Sequence, residues 1–271
     1  GILENLYHHN EVKQDIGGTM ASIKEIDQEK LYLCHETFYH PSNMILVIVG
    51  NVDVDKTIEQ VVLNQSKKEF GPDKLISRIR MEEPRPIVHP HRSIKMDIVD
   101  AKVAVGIKLQ EAPFNGKDSV LEELSYRILL EELFGYTSKH YQEMMDLELI
   151  NQTFGFDIVY EDYARFILIH SDTNKPDQLV AYIKEVFASL QDIVIEEASI
   201  QRYMKVIHGG YLRGLNFVEY IANTYAQYHL HNMDMFEVLE FIEEVTVENV
   251  MQARESISLE YLSSFVIESK E

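Results

Sequence analysis

The end of the chain repeats its beginning, and this repeat limits the folds that the sequence can adopt. Residues 22–49 align without a gap on residues 241–268, at an offset of 219 that places Glu29 on Glu248. Identities are few, but the apolar positions of the two stretches coincide. Because a structural repeat reuses one hydrophobic pattern to build one supersecondary unit, both stretches are predicted to form the same helix followed by a strand.

The repeat also predicts how the chain is divided into domains. If the second copy starts near residue 94, the first copy is expected to start about 125 residues upstream of Gly1. Residues 1–63 are then the C-terminal part of a first domain, and residues 94–271 are a complete second domain. Between them, residues 64–93 hold four of the seven prolines and many basic residues with weak periodicity, which is typical of a linker.

Composition excludes several classes of function. A hydrophobic content of 45% is that of a folded protein, and a formal charge of −20 argues against a nucleic-acid partner. The acidity is interpreted as a solubility feature, with attraction of basic peptides to an acidic cavity as the alternative. No apolar run approaches the length of a membrane span, so no membrane partner is expected.

The single cysteine, Cys34, bears on both location and packing. One cysteine cannot form an internal disulfide, which favours a reducing, cytoplasmic location. Since Cys34 lies within the apolar run 31–38, it is predicted to be a buried structural thiol rather than a nucleophile.

The hydrophobic periodicity predicts an α+β fold in which helices cover a mostly antiparallel sheet. In the first copy, Asp27 is the expected N-cap of a helix that ends before Pro41, and residues 44–50 read as a buried strand. For the remainder, the predicted helices are 54–63, 118–133, 138–147, 176–190, 196–213, 217–230, 235–244 and 247–257, and the predicted strands are 101–109, 150–160, 164–171 and 262–268.

Eleven histidines invite a search for a metal site, but none of their spacings makes one. His140 and Glu143 form a His-x-x-Glu, but Met144 stands where a zincin-type motif needs a second histidine. The other closely spaced histidines are His8-His9, His229 with His231, and His89 with His91. The first two pairs would splay apart on a helix, and surface solvation is the favoured interpretation of the third.

Two glycine pairs also fail to indicate a site. Gly17-Gly18 and Gly209-Gly210 lack the strand-to-helix context of a phosphate-binding loop. Gly209-Gly210 falls inside a helical pattern and is interpreted as a kink or a point of close helix packing. The residues of this stretch by themselves therefore indicate no catalytic centre.

Residues 1–60 carry the motifs of a known family. The first motif is Gly18-Thr19 with Ser22-Ile23, which is similar to the family pattern Gly-Thr-x-x-Ser-Ile. The second is similar to Tyr-x-Pro-x-Asn-Met followed by an apolar strand and Gly-Asp/Asn-Val-Asp, and it consists of Tyr39, Pro41, Asn43-Met44, Val49-Gly50 and Val52-Asp53. Residues 141–144 match more loosely an aromatic-Gln-Glu-Leu helix. On these residues the chain resembles the insulinase/pitrilysin family of zinc metallopeptidases, which includes the mitochondrial processing peptidase subunits and bacterial cytosolic members.

The resemblance implies zinc in the parent chain and none in this stretch. In such enzymes an inverted His-x-x-Glu-His motif and a distant Glu bind the metal in the first domain, and none of these residues is present here. The second domain is non-catalytic and often offers an Arg, followed seven residues later by a Tyr, to hold the peptide. Met145 and Gln152 stand at those places, so no catalytic or substrate-binding residue is carried over.

Two functional hypotheses follow. In the first, the chain is part of a zinc-dependent peptidase that degrades or processes peptides in a closed chamber, and its partners are the peptide and the missing half of the first domain. In the second, suggested by Met145 and Gln152, it is a non-catalytic subunit that pairs with a homologous peptidase subunit or forms a homodimer. An unrelated peptide-binding protein is a third and less favoured interpretation.

Overall fold

A computed structural model describes residues 1–72, 76–77 and 79–270. Within these ranges the chain forms an α+β fold, as the sequence predicts. The strands are β1 (His91–Met96), β2 (Ala101–Lys108), β3 (Gly155–Glu161), β4 (Ala164–Thr173) and β5 (Leu262–Ser269). The helices are α1 (Ile2–Leu6), α2 (Met20–Lys24), α3 (Gln28–Phe38), α4 (Val54–Gln65), α5 (Gly116–Phe134), α6 (Lys139–Asp146), α7 (Pro176–Ala188), α8 (Glu197–Gly214), α9 (Val218–Leu230), α10 (Val238–Glu243) and α11 (Val247–Ser256).

The five strands form one sheet in the order β1-β5-β2-β4-β3. Three neighbouring pairs are antiparallel and the pair of β1 with β5 is parallel, so the prediction of a mostly antiparallel sheet is confirmed. Strands β3 and β4 form a hairpin, and Tyr163 in its turn has a positive φ of 63°. Strand β5 lies between β1 and β2 and so has a hydrogen-bonded neighbour on both edges.

The two faces of β2 pack against different parts of the chain. Val103, Val105 and Ile107 alternate along the strand and are buried in the main core. On the opposite face, Gly106 leaves room for α1, because a Cβ atom there would lie 2.9 Å from side-chain carbons of Ile2 and Leu6. The glycine thus allows the N-terminal helix to lie against the sheet.

The chain divides into two compact units. Unit 1 comprises residues 1–14, 81–209 and 236–271, and unit 2 comprises residues 15–80 and 210–235. The sheet and most of the buried core belong to unit 1, whereas none of the described residues between positions 15 and 80 is buried. Among the described residues, no helix is both long and apolar enough to cross a membrane.

The internal repeat is visible in the structure. Helices α2 and α3 have their counterparts in α10 and α11 at the expected offset, and the N-caps correspond as well. Asp27 accepts a hydrogen bond from the Lys30 amide, and Thr246 accepts one from the Asn249 amide. Each copy then ends its second helix and makes a short 3-10 turn, at residues 41–43 and 259–261.

Two predictions for the first copy are wrong. Residues 44–49 are extended but form no ladder, so the predicted strand 44–50 does not exist among the described residues, and Cys34 is exposed rather than buried. The apolar side chains of α3 are uncovered in the same way, since Leu31 is 61% exposed. Both errors have one physical cause: a strand needs a neighbour and a core residue needs a covering layer, and no described residue supplies them. The predicted linker falls partly on residues 73–75 and 78, outside the described residues.

Candidate functional site

Helix α6 presents a polar triad to α7. Ser138 caps the helix by accepting a hydrogen bond from the Tyr141 amide at 3.1 Å. One turn apart on α6, His140 and Glu143 both reach Tyr182: its hydroxyl donates to Glu143 at 2.5 Å and lies 3.1 Å from His140 Nδ1. The triad ties the two helices together at the surface.

The electrostatics of the triad favour a charged carboxylate and a neutral imidazole. The hydrogen bond from Tyr182 lowers the pKa of Glu143, and burial lowers the pKa of His140. Burial and the hydrogen bond to Glu143 together raise the pKa of Tyr182. At neutral pH the tyrosine therefore keeps its proton and serves as a donor.

The triad does not fit a zinc ion. A catalytic zinc takes three protein ligands and keeps one position for water, whereas this site offers one imidazole and one carboxylate that is already bound by a tyrosine. Elsewhere in the described chain, no three His, Cys, Asp or Glu side chains come together in a way that could hold a metal. We therefore derive no chemical step through a metal in these residues.

The other histidines singled out in the sequence are dispersed. His91 lies in β1 with its Nδ1 2.8 Å from the Ser264 hydroxyl, and the His89 carbonyl accepts a hydrogen bond from Ser263. His229 stacks its ring on a tyrosine of α9. Each of these contacts is structural.

The two positions that the family resemblance aligns with an Arg and a Tyr carry other side chains. Met145 is 40% exposed near the end of α6, and Gln152 is exposed in the turn before β3. Neither side chain can make the ionic or phenolic contact of the family pattern.

Beside these positions lies an aromatic surface that sequence reasoning missed. Tyr136 is 75% exposed and packs edge-on against Tyr141, with 5.1 Å between the ring centroids. Gln142 fixes the loop by donating to the Tyr136 carbonyl at 2.8 Å. An exposed tyrosine offers apolar area together with a polar tip. The signal in the sequence was a pair of tyrosines flanking a helix start.

A buried ion pair anchors the segment that leads into the sheet. Lys108 and Glu83 are 2.6 Å apart, with side chains 1% and 2% exposed. Glu83 also accepts three successive backbone N–H groups, from His8 at 2.8 Å, His9 at 2.6 Å and Asn10 at 2.8 Å. We call Glu83, Lys108 and residues 8–10 the clasp.

The clasp holds its carboxylate in the charged form. Burial alone would raise the pKa of Glu83, but the hydrogen bond from Lys108 and the three backbone donors outweigh it and lower the pKa to about 2. Nearby, Arg85 donates to the Lys108 carbonyl at 2.9 Å and stacks 3.8 Å above the Tyr261 ring. Arg85 and Glu83, both within the predicted linker, therefore pack against β2 and Tyr261 inside unit 1.

Two concave surfaces are further candidate sites. Between α5 and α11 lies a cleft of about 340 Å³ that contains Glu122 and Asp118. Its hydroxyls are already engaged with protein: Tyr126 and Ser256 lie 2.6 Å apart, and the Tyr160 hydroxyl donates to Glu122. In unit 2, a groove of about 320 Å³ lies between the segment that contains Leu46 and helix α4, and its lining is apolar.

Comparison with known proteins decides the family. A family model described as the peptidase M16 inactive domain matches residues 25–207. The chain belongs to this family. The result confirms the resemblance to insulinase-type peptidases that the motifs of residues 1–60 indicated.

Relatives of this M16 chain are zinc proteases of greater length. The chain is 38% identical over 266 residues to the uncharacterized zinc protease YmfH of Bacillus subtilis (strain 168). This alignment covers 97% of the chain and 61% of YmfH. It is 26% identical over 225 residues to the zinc protease PqqE of Helicobacter pylori, covering 79% of the chain and 48% of PqqE. The chain therefore spans less than two thirds of these relatives.

A solved structure has the same fold. The crystal structure of an M16-like peptidase from Alicyclobacillus acidocaldarius superposes with a TM-score of 0.92 at 28% identity, over 99% of this chain and 64% of that one. The arrangement of sheet and helices in the M16 chain is thus that of M16-like peptidases.

Proposed function

We propose that this M16 chain is the non-catalytic part of a zinc-dependent peptidase that degrades or processes peptides in a closed chamber. Its role is to close the chamber and contact the substrate. The observation that carries the proposal is the family match: the chain matches the inactive-domain model, while the relatives named as zinc proteases are longer than this chain.

The domain division is part of the proposal. Residues 1–63 are the tail of a first domain, residues 64–93 a linker, and residues 94–271 a complete second domain. Support comes from the repeat, since β5 has one parallel and one antiparallel neighbour whereas the matching residues 44–49 have none among the described residues. The missing half of the first domain would supply one strand to each edge of that segment.

The substrate contact is assigned to the aromatic surface beside α6. Tyr136 provides an exposed ring that packs against the half-buried Tyr141, and Met145 adds apolar area where the family pattern has an arginine. The formal charge of −20 favours peptides with basic residues. A cytoplasmic location agrees with the single, unpaired cysteine.

Zinc analysis and a peptidase assay of the full-length protein test this function. We expect one zinc ion per chain bound by a His-x-x-Glu-His motif, and loss of peptide cleavage when the motif Glu is replaced by Gln. A full-length protein that lacks the motif, or that binds no zinc with the motif intact, would overturn the catalytic proposal.

A second candidate function is a non-catalytic subunit of a peptidase pair, and Met145 with Gln152 favours it. Introducing Met145→Arg and Gln152→Tyr into the full-length protein discriminates the two candidates. If the protein acts alone, the added contacts should lower KM for peptides. If it is an obligate partner, it should co-purify with a zinc-bearing homologue, and its activity should appear only in that complex.

A further inference from the structure

The hydrogen bonds of the triad determine which ring nitrogen of His140 carries a proton. The Tyr182 hydroxyl has a single hydrogen, which it donates to the Glu143 carboxylate at 2.5 Å. The same hydroxyl oxygen lies 3.1 Å from His140 Nδ1, so at this contact the oxygen accepts and Nδ1 donates. Nδ1 is therefore protonated, and the neutral imidazole has its free lone pair on Nε2.

The triad also keeps this imidazole neutral and in one tautomer. Its hydrogen bonds run in one direction, from His140 through Tyr182 to the negative charge of Glu143, and this charge stabilises the proton on Nδ1. Burial lowers the pKa of His140, Lys139 lowers it further, and Glu143 opposes both effects. A neutral histidine that is free in water favours the proton on Nε2, so the triad holds His140 in the opposite form.

Nε2 is the open side of the His140 ring. The side chain is 25% exposed, and none of the described residues forms a hydrogen bond with Nε2. None of the buried side-chain atoms that lack a partner in the described chain belongs to His140, so solvent reaches Nε2. The ring centroid lies 6.5 Å from that of Phe134 on α5 and 6.0 Å from that of Tyr182 on α7. Nε2 is thus an acceptor whose orientation is set before any ligand binds.

We propose that His140 Nε2 accepts a hydrogen bond from an N–H group of a bound peptide. The proposal rests on the substrate contact assigned above to the aromatic surface beside α6, since His140 directly precedes Tyr141 on that helix. An unprotonated Nε2 binds a donor and cannot bind another acceptor such as a carbonyl or a carboxylate. Tyr182 and Glu143 are positioning residues in this account, because they keep the proton on the other nitrogen.

Nitrogen-15 NMR of the histidine-labelled chain tests the tautomer without any peptide. We expect the signals of His140, assigned by their loss in His140→Gln, to show a protonated Nδ1 and an unprotonated Nε2 at neutral pH. Tyr182→Phe removes only the hydroxyl and should shift the ring toward the Nε2–H form. The matched control is Tyr225→Phe, since the Tyr225 ring stacks on His229 in unit 2, and it should leave His140 unchanged. A protonated Nε2 in the parent chain would overturn the proposal.

Titration with a synthetic peptide of alternating Ala and Arg residues, blocked at both ends, tests the contact itself. We expect the Nε2 signal of His140 to move upfield as the nitrogen gains a hydrogen bond, and the Tyr182→Phe protein to bind about fivefold more weakly. A peptide with Met in place of Arg distinguishes the donors: a shift that persists assigns a backbone N–H, and one that disappears assigns a guanidinium.

The same titration separates this proposal from the one on which it rests. If the ring signals of Tyr136 and Tyr141 shift while Nε2 of His140 does not, the peptide contact stands and the acceptor role is refuted. If none of these signals shifts, both the contact at the aromatic surface and the acceptor role are refuted.

Discussion

One sequence pattern occurs twice in the chain, and the two copies differ in strand pairing and burial. The first copy is helix α3 with residues 44–49, and the second is helix α11 with β5. Both helices begin at a side-chain N-cap and both end before a 3-10 turn. Yet β5 is bonded on both edges and its Val266 is 1% exposed, whereas residues 44–49 have no ladder and Leu46 is 66% exposed.

The comparison separates what local sequence determines from what tertiary partners determine. Caps, helix ends and turns come from short-range hydrogen bonds, so both copies form them. Strand pairing and burial come from distant segments, and among the described residues they exist for the second copy alone. Substitutions at matched positions of the two copies, or at the contacts that stabilise the second copy, should therefore have unequal effects.

The largest expected difference is between Val266→Asp and Val47→Asp, which are equivalent in the repeat. In β5 an unpaired charge would enter the core of unit 1 and cost about 4 kcal/mol or more of unfolding free energy. At Val47 the change should cost less than about 1 kcal/mol, because none of the described residues forms a strand beside it. Urea unfolding followed by far-UV circular dichroism measures both, and equal losses would contradict the account.

Next in size is the clasp that stabilises the sheet of unit 1. Lys108→Met leaves the buried Glu83 without its cation and should cost about 3–5 kcal/mol. Lys102→Met on the same strand removes an exposed ion pair with Asp172, 2.8 Å long, and should cost about 1 kcal/mol or less. A Lys108→Met protein as stable as Lys102→Met would show that the clasp contributes little.

The clasp also predicts a dependence on acid. Because folding lowers the pKa of Glu83 from 4.5 to about 2, its contribution is fully present above about pH 4.5 and is lost as the pH falls toward 2. Glu83→Gln should therefore destabilise unit 1 by about 3 kcal/mol at pH 7 and progressively less below pH 4.5. The exposed neighbour in Glu82→Gln serves as the control, and a Glu83→Gln penalty that is constant down to pH 2 would refute the assignment.

The smallest effect concerns the two N-caps. Thr246→Ala and Asp27→Ala remove equivalent caps, each worth about 1 kcal/mol to its helix. Thr246→Ala should lower the stability of unit 1 by that amount, since α11 packs on α5. Asp27→Ala should instead speed amide exchange within α3 while the unfolding midpoint of unit 1 stays the same. A shift of that midpoint would show that α3 supports the core.

Much of the fold could be predicted from the sequence because it depends on local signals. Pro176 at the start of the predicted helix 176–190, the N-cap at Asp27 and the alternation of Val103, Val105 and Ile107 each identify an element correctly. The exposure of Cys34 could not be predicted, because residues distant in the sequence decide whether an apolar helix face is covered.

The candidate site was less accessible to sequence reasoning. Glu83 and Lys108 are 25 residues apart in the sequence, and no local pattern predicts that they form an ion pair. The aromatic surface at Tyr136 also depends on how the loop after α5 folds back on α6. The assignment of Met145 and Gln152 to the places of the family's Arg and Tyr stays a prediction.

Hydrogen exchange of the two equivalent segments tests the central claim most directly. In this chain, amides 45–49 should exchange nearly as fast as an unfolded peptide, whereas amides 264–268 should be strongly protected. In the full-length protein, where the missing half of the first domain is proposed to pair with the segment, amides 45–49 should become protected to a similar degree. Protection of 45–49 in this chain, or its continued absence in the full-length protein, would contradict the account.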